Sequence, residues 1–138
     1  EEARRAIGML RDDELPGPER LTELAEQFER DRDVPCRVTV TGPPHPLGSE
    51  ARLALYRVAQ EALTNVIRHA RPERVEVHLG YEPSATRLTV EDVGERPAPS
   101  AGTGYGLTGM RERAELLGGT LTAGATPRGF RVELELPA

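Results

Sequence analysis

One stretch of the chain, Leu55 to Ala70 (LYRVAQEALTNVIRHA), restricts most strongly what can be built around it. At roughly 100° per residue, Leu55, Ala59, Ala62, Leu63, Val66 and Ala70 gather on one face of a helix. Arg57, Glu61, Asn65 and Arg68 fall opposite, with His69 near the boundary. This is a buried helix with a chemically equipped second face. Glu61 and Asn65 lie one turn apart, and such a carboxylate and carboxamide can polarise a water or hydroxyl and complete the oxygen shell of a hard cation. Ser49 is the expected N-cap, and the helix is expected to stop before Pro72.

A glycine-rich segment follows downstream, from Val90 to Leu121. It reads as a strand ending in Asp92, a turn at Gly94, a stretch rich in Pro, Ala, Ser and Gly, and then Gly102, Gly104 and Gly106 opening a helix. Glycines let backbone N–H groups approach an anion closely, and a helix N-terminus adds partial positive charge. The segment has the makings of a phosphate-binding loop. An absence narrows its type: all 18 basic residues are Arg. A Walker-type loop needs its Lys on the phosphates and a protein kinase needs a strand Lys for the same purpose, so neither fits. Nor is Gly102 to Leu107 a dinucleotide fingerprint, which should follow its first strand directly.

With 138 residues, 37% of them hydrophobic, no Trp, two Phe and three Tyr, the chain suits one domain whose core is built from Leu, Val, Ile and Ala. A net charge of -5 leaves no basic footprint for nucleic acid. A bound nucleotide would have to be held by backbone dipoles, a metal and a few Arg. The lone Cys36, in an alternating apolar run, is expected to be a buried strand thiol. No apolar stretch approaches the roughly 20 residues that span a bilayer, and no signal peptide is visible. A soluble, cytoplasmic domain without direct membrane contact is expected.

The chain opens at EEARRAIGMLR, where Ala3, Ala6, Ile7 and Leu10 recur at helical spacing from the first residue. This helix, over residues 1–14, is expected to be the tail of a longer one. Pro16 and Pro18 end it, and Leu21, Leu24, Ala25 and Phe28 mark a second amphipathic helix. Cys36, Val38 and Val40 alternate with Arg37, Thr39 and Thr41 as a half-buried strand. Further strands are expected around Val75, Val77 and Leu79, then around Leu88 and Val90, joined through Pro83 and Ser84. Period-two alternation puts Asp92 on the face of Leu88 and Val90. Burying that carboxylate without a partner would cost several kcal/mol, so it needs a donor. Residues 95–105 have the composition of a mobile surface segment. Leu107, Met110, Ala114 and Leu117 describe a short helix stopped by Gly118 and Gly119. Thr120 to Ala123 and Phe130 to Leu136 form a closing hairpin with Val132, Leu134 and Leu136 inward. The order predicts an α+β two-layer sandwich, a mixed, mainly antiparallel sheet of about five strands against about three helices.

These residues together resemble the ATP-binding catalytic domain of bacterial two-component sensor histidine kinases, in the subfamily of the nitrate-sensor and lipid-fluidity-sensor kinases. The resemblance rests on Glu61, Asn65, Arg68, His69 and Ala70, on Asp92-x-Gly94, and on Gly104-x-Gly106-Leu107-x-Gly109-Met110-x-x-Arg113. It implies a fold of the GHKL ATPase type over residues 15–138, with residues 95–105 as a mobile ATP lid. It also implies ATP and Mg²⁺ as cofactors. Asn65 would hold Mg²⁺ and Glu61 would act as base or orient the attacking group. Asp92 would accept from the adenine amino group above a turn allowed by Gly94. Gly102 belongs to the glycine run whose Gly104 and Gly106, with Leu107, would offer N–H groups to phosphate, near Arg68 and His69. The implied reaction passes the γ-phosphoryl group to a histidine on the dimerisation helices of a homodimer, then to a response regulator. His45, His69 and His78 do not suit the acceptor, which would lie upstream of Glu1. The chain departs from the family at Arg96, where a second glycine is usual, and at Gly129-Phe130, where many members have Gly-Thr. A nucleotide-binding regulatory module without transfer activity, or an anti-sigma-type serine kinase, is the alternative on the same scaffold.

Overall fold

The computed structural model describes residues 16–95 and 107–138. The expected helix over 1–14, the glycines Gly102, Gly104 and Gly106 and nearly all of the expected lid lie outside those residues. Pro18, whose ring presets a helical φ, opens a short 3-10 turn, Pro18–Arg20, that runs straight into helix α1, Leu21–Arg32. Leu21, Ala25 and Phe28 point inward from it. Strand β1 (Cys36–Thr41), helix α2 (Ser49–His69) and strands β2 (Arg71–Glu82) and β3 (Ala85–Glu95) follow. Helix α3 (Thr108–Leu116) and strands β4 (Thr120–Ala125) and β5 (Gly129–Pro137) complete the described chain.

The strands form one sheet in the order β1-β2-β3-β5-β4. α2 is the crossover that lets β1 and β2 run parallel, and the other pairs are antiparallel. Register decides the core. Leu79 faces Leu88, Leu88 faces Leu134, and Leu134 faces Leu121, so one apolar row crosses four strands. A second row joins Val77, Val90 and Val132. Against these rows α2 lays Leu55, Val58, Ala59, Ala62, Leu63 and Val66, all buried. This is the two-layer α+β sandwich that the alternating and 3.6-residue periods predict, with a core of Leu, Val and Ala.

Two local expectations need correcting. Ser49 is the first residue of α2, and Gly48 holds the N-cap position without a side-chain bond. Glu50 supplies the acidic charge that favours this helix start. β1 is less covered than its alternation suggests: Cys36 is buried, Val38 half-buried and Val40 53% exposed. The reason is that β1 is an edge strand whose far end the helical layer does not reach. The Cys36 thiol is pushed up to about 12, chiefly by burial and then by the nearby Glu29 carboxylate.

The loop between β1 and α2 is tied down by His45. Its Nε2 lies 2.7 Å from the Oγ1 of the fully buried Thr86, and its ring meets Tyr81 edge-on. His78, on the outer side of β2, hydrogen-bonds Thr41 Oγ1 at 2.9 Å. Both histidines therefore hold the sheet together at the end where β1 finishes.

Candidate functional site

The chain gathers its polar residues at the opposite end of the sandwich. α2 stops at His69, Ala70 turns to extended backbone, and β2 begins at Arg71. Arg71 pairs with Glu95 and Pro72 with Gly94, so the last turn of α2 and the end of β3 meet at one edge. α3 packs on α2 as well as on β4 and β5. Leu107, just before α3, is buried in the shared core, and its carbonyl accepts the Arg111 N–H at 2.8 Å. The central helix thus packs on β3 and on the last helix.

On α2, Glu61 is half-buried and Asn65, one turn later, is only 1% exposed. A strict division of the helix into faces puts Asn65 opposite the core, but it follows Val58 by seven residues and Ala62 by three. At 3.6 residues per turn that is within roughly 60° of two buried positions, and the neighbouring elements enclose it. Arg68 is exposed and His69 half-buried. Asp92 is 2% exposed and continues the inner row of Leu88 and Val90, between Val75 on β2 and Phe130 on β5.

Glycine is required at two places around Asp92. Gly94 has φ +139°, and a Cβ there would lie 2.8 Å from the Glu73 nitrogen, against the bulge between Pro72 and Arg74. At Gly129 a Cβ would stand 2.0 Å from the Asp92 carbonyl oxygen and 3.0 Å from its Oδ1. Backbone is therefore packed directly on the Asp92 carboxyl.

The donor set limits what can be held. Among the described residues no group of three or more His, Cys, Asp or Glu could hold a metal. The pair available on α2 is one carboxamide and one carboxylate. Such a pair suits a hard ion that takes one or two protein oxygens and completes its shell with ligand phosphates and water. It does not suit zinc.

One residue of consequence escapes the sequence reading. Glu91 projects from the outer side of β3 yet is 4% exposed. Arg128 Nη2 donates to it at 2.7 Å, Thr126 Oγ1 at 2.8 Å, and Arg131 stands 3.7 Å away. Burial pushes its carboxyl up, but these donors outweigh burial and hold it below the ordinary carboxylate value. Alternation marks Glu91 as solvent-facing. The only hint is an acidic residue preceding Asp92 with arginines in a later hairpin, and that becomes readable once register sets Glu91 opposite Arg131 and Glu76.

The family of histidine kinase-, DNA gyrase B- and HSP90-like ATPases matches residues 50–138, and the chain belongs to it. Histidine kinases are among the curated proteins it resembles. It is 35% identical over 139 residues to the signal transduction histidine-protein kinase/phosphatase UhpB of Salmonella typhimurium, covering 97% of this chain and 28% of that one. It is 35% identical over 116 residues to the oxygen sensor histidine kinase NreB of Staphylococcus carnosus, covering 81% and 33%. The chain thus spans about a third or less of the length of these relatives. The catalytic domain of histidine kinase ThkA superposes with a TM-score of 0.70 at 17% identity, covering 86% of this chain and 90% of that one. The chain is an ATP-binding catalytic domain of the histidine kinase type. Among its described residues no helix is long and apolar enough to cross a membrane.

Proposed function

We propose that this chain is the kinase core of a two-component sensor histidine kinase. It would transfer the γ-phosphoryl group of ATP to a histidine on a dimerisation helix upstream of Glu1, within a cytoplasmic homodimer. From there the group would pass to a response regulator. The observations that carry the reading are the depth of Asn65 on α2 and of Asp92 on β3, and the packing of α2 on both β3 and α3.

Asp92 accepts a hydrogen bond from the exocyclic amino group of adenine, and Gly94 and Gly129 leave the base room to approach. The Asn65 carboxamide would contribute an oxygen to Mg²⁺, which when bound would spread the negative charge of the phosphates. Glu61, half-buried one turn earlier, orients the incoming imidazole and takes up its proton. Arg68 and His69, in the last turn of α2, would stand on the phosphate side, and Leu107 with Gly102, Gly104 and Gly106 would offer N–H groups to the phosphates. Phosphoryl transfer is chiefly positioning and charge stabilisation, which this set of groups can supply.

A calorimetric titration of the chain with a non-hydrolysable ATP analogue, with and without Mg²⁺, tests the reading. Binding that requires Mg²⁺ is expected; no binding in either condition defeats it.

A further inference from the structure

We infer that Glu91, Thr126 and Arg128, on the side of the sheet away from the nucleotide, form a positioning clamp that sets the base specificity of Asp92. The inference rests on the reading of Asp92 as the adenine partner. It concerns how that carboxylate is held in place.

The connection runs through atoms on both sides of β3. Glu91 is buried on the outer face and Asp92 on the inner, so the two side chains share one stretch of backbone. The turn Thr126 to Gly129, between β4 and β5, is attached to that stretch at several points. Thr126 Oγ1 donates its only proton to Glu91 Oε2 at 2.8 Å and accepts the Gly129 N–H at 3.0 Å. Arg128 Nη2 donates to Glu91 Oε1 at 2.7 Å and to Glu76 Oε1 at 2.8 Å, bridging β3 and β2. The Arg128 carbonyl accepts the Gly94 N–H at 2.9 Å.

The destination of this chain of bonds is Gly129. Its N–H is fixed by Thr126, and its Cα lies so close to Asp92 that a methyl group would overlap the carbonyl oxygen and press on Oδ1. The place of Gly129 therefore limits where the Asp92 carboxyl can point. Its neighbour Phe130, which carries no hydroxyl, pairs with Asp92 across the strands. A hydroxyl that could share recognition of the base is absent at this position. Whatever holds Gly129 against Asp92 bears on the direction of its carboxyl, and Glu91 is the buried anchor of that hold. Hydrogen bonds to an ionised, desolvated acceptor are the stronger kind, which suits an anchor.

The experiment compares Thr126→Val, Thr126→Ser, Arg128→Met and Asp92→Asn with the unaltered chain. ATP and GTP affinities are measured by calorimetry with Mg²⁺, and Tm in parallel. Thr126→Val keeps the shape of the side chain and removes its hydroxyl, so it carries the test if Arg128→Met fails to fold. Expected is a preference for ATP in the unaltered chain that shrinks roughly five- to tenfold in Thr126→Val and is kept in Thr126→Ser. If the unaltered chain binds both nucleotides alike, the reading of Asp92 fails and the clamp with it. If Asp92→Asn removes the preference while Thr126→Val lowers Tm alone, the reading of Asp92 stands and the clamp is overturned. Equal loss in Thr126→Ser and Thr126→Val also overturns it, because the hydroxyl is then not the operative group.

Discussion

Glu91 and Asp92 are consecutive, acidic and almost equally buried, at 4% and 2% exposure, yet they belong to different chemistry. Glu91 lies on the outer face inside a set of protein donors that includes a guanidinium and a hydroxyl. Asp92 lies on the inner face in line with Leu88 and Val90. One carboxylate is enclosed by donors of its own fold and acts on the nucleotide only through the backbone it anchors. The other, with Asn65, is built into the core at the place where the nucleotide is proposed to bind. Burial alone does not separate a structural acid from a ligand-binding one; the chemistry of the surroundings does.

The sharpest way to break this contrast is at Asn65. Asn65→Ala is expected to weaken Mg²⁺-dependent ATP binding about 100-fold, more than the accompanying change in Tm accounts for. Calorimetry and thermal melts on the same protein check both halves. A large fall in Tm with unchanged affinity would move Asn65 to the structural side.

Glu91→Ala should show the reverse. Removing the acceptor strands Thr126 and one bond of Arg128, at a cost of about 1–2 kcal/mol of stability. The melting temperature should fall by several degrees, while Mg²⁺ dependence of nucleotide binding survives. Equilibrium unfolding in urea gives the first number directly. A variant as stable as the parent would mean that the Arg128 and Thr126 contacts contribute nothing net.

How far this contrast can be read in the chain itself follows from what each period reports. Alternation in β3 and β5 fixes the inner rows, and the 3.6-residue repeat fixes α2, because both depend on neighbours in sequence. Asp92 is legible for the same reason: it continues a row. Asn65 is legible as chemistry but not as burial, since two faces of a helix are an idealisation and enclosing elements widen the buried sector. Glu91 is not legible, because its partners lie 35 and 37 residues away in a hairpin and meet it only through register. The N-cap at Gly48 is missed for a smaller reason: the backbone can supply the cap geometry without the Ser49 hydroxyl.

Asp92→Asn sharpens the comparison from the ligand's side. Replacing the inner carboxylate by an isosteric amide should leave Tm within about 2 °C and reduce ATP affinity roughly tenfold. A charge-assisted acceptor toward the adenine amino group is then lost. Paired titrations with ATP and GTP measure it, and a selective loss for ATP is the expected sign.

The smallest effect concerns protons. Glu91 has its carboxyl held below the ordinary value of 4.5 in the folded chain, so folding favours its ionised form. Its stabilisation is complete above the unfolded value and is lost as pH falls through the depressed folded value. Arg128, Arg131 and Glu76 are the charged groups that face it. Glu76 is also held low, by hydrogen bonds from Arg74 and Arg128, and Glu19 is low as well, so the parent must lose stability toward acid whatever Glu91 does. The contribution of Glu91 is therefore the difference between two profiles. Urea unfolding of the parent and of Glu91→Gln between pH 7 and roughly pH 3 should give a gap that is widest at neutral pH and closes toward the acid end. A gap that stays constant across the range would show that the Glu91 contacts act as neutral hydrogen bonds, and the ionic half of the contrast with Asp92 would have to be withdrawn.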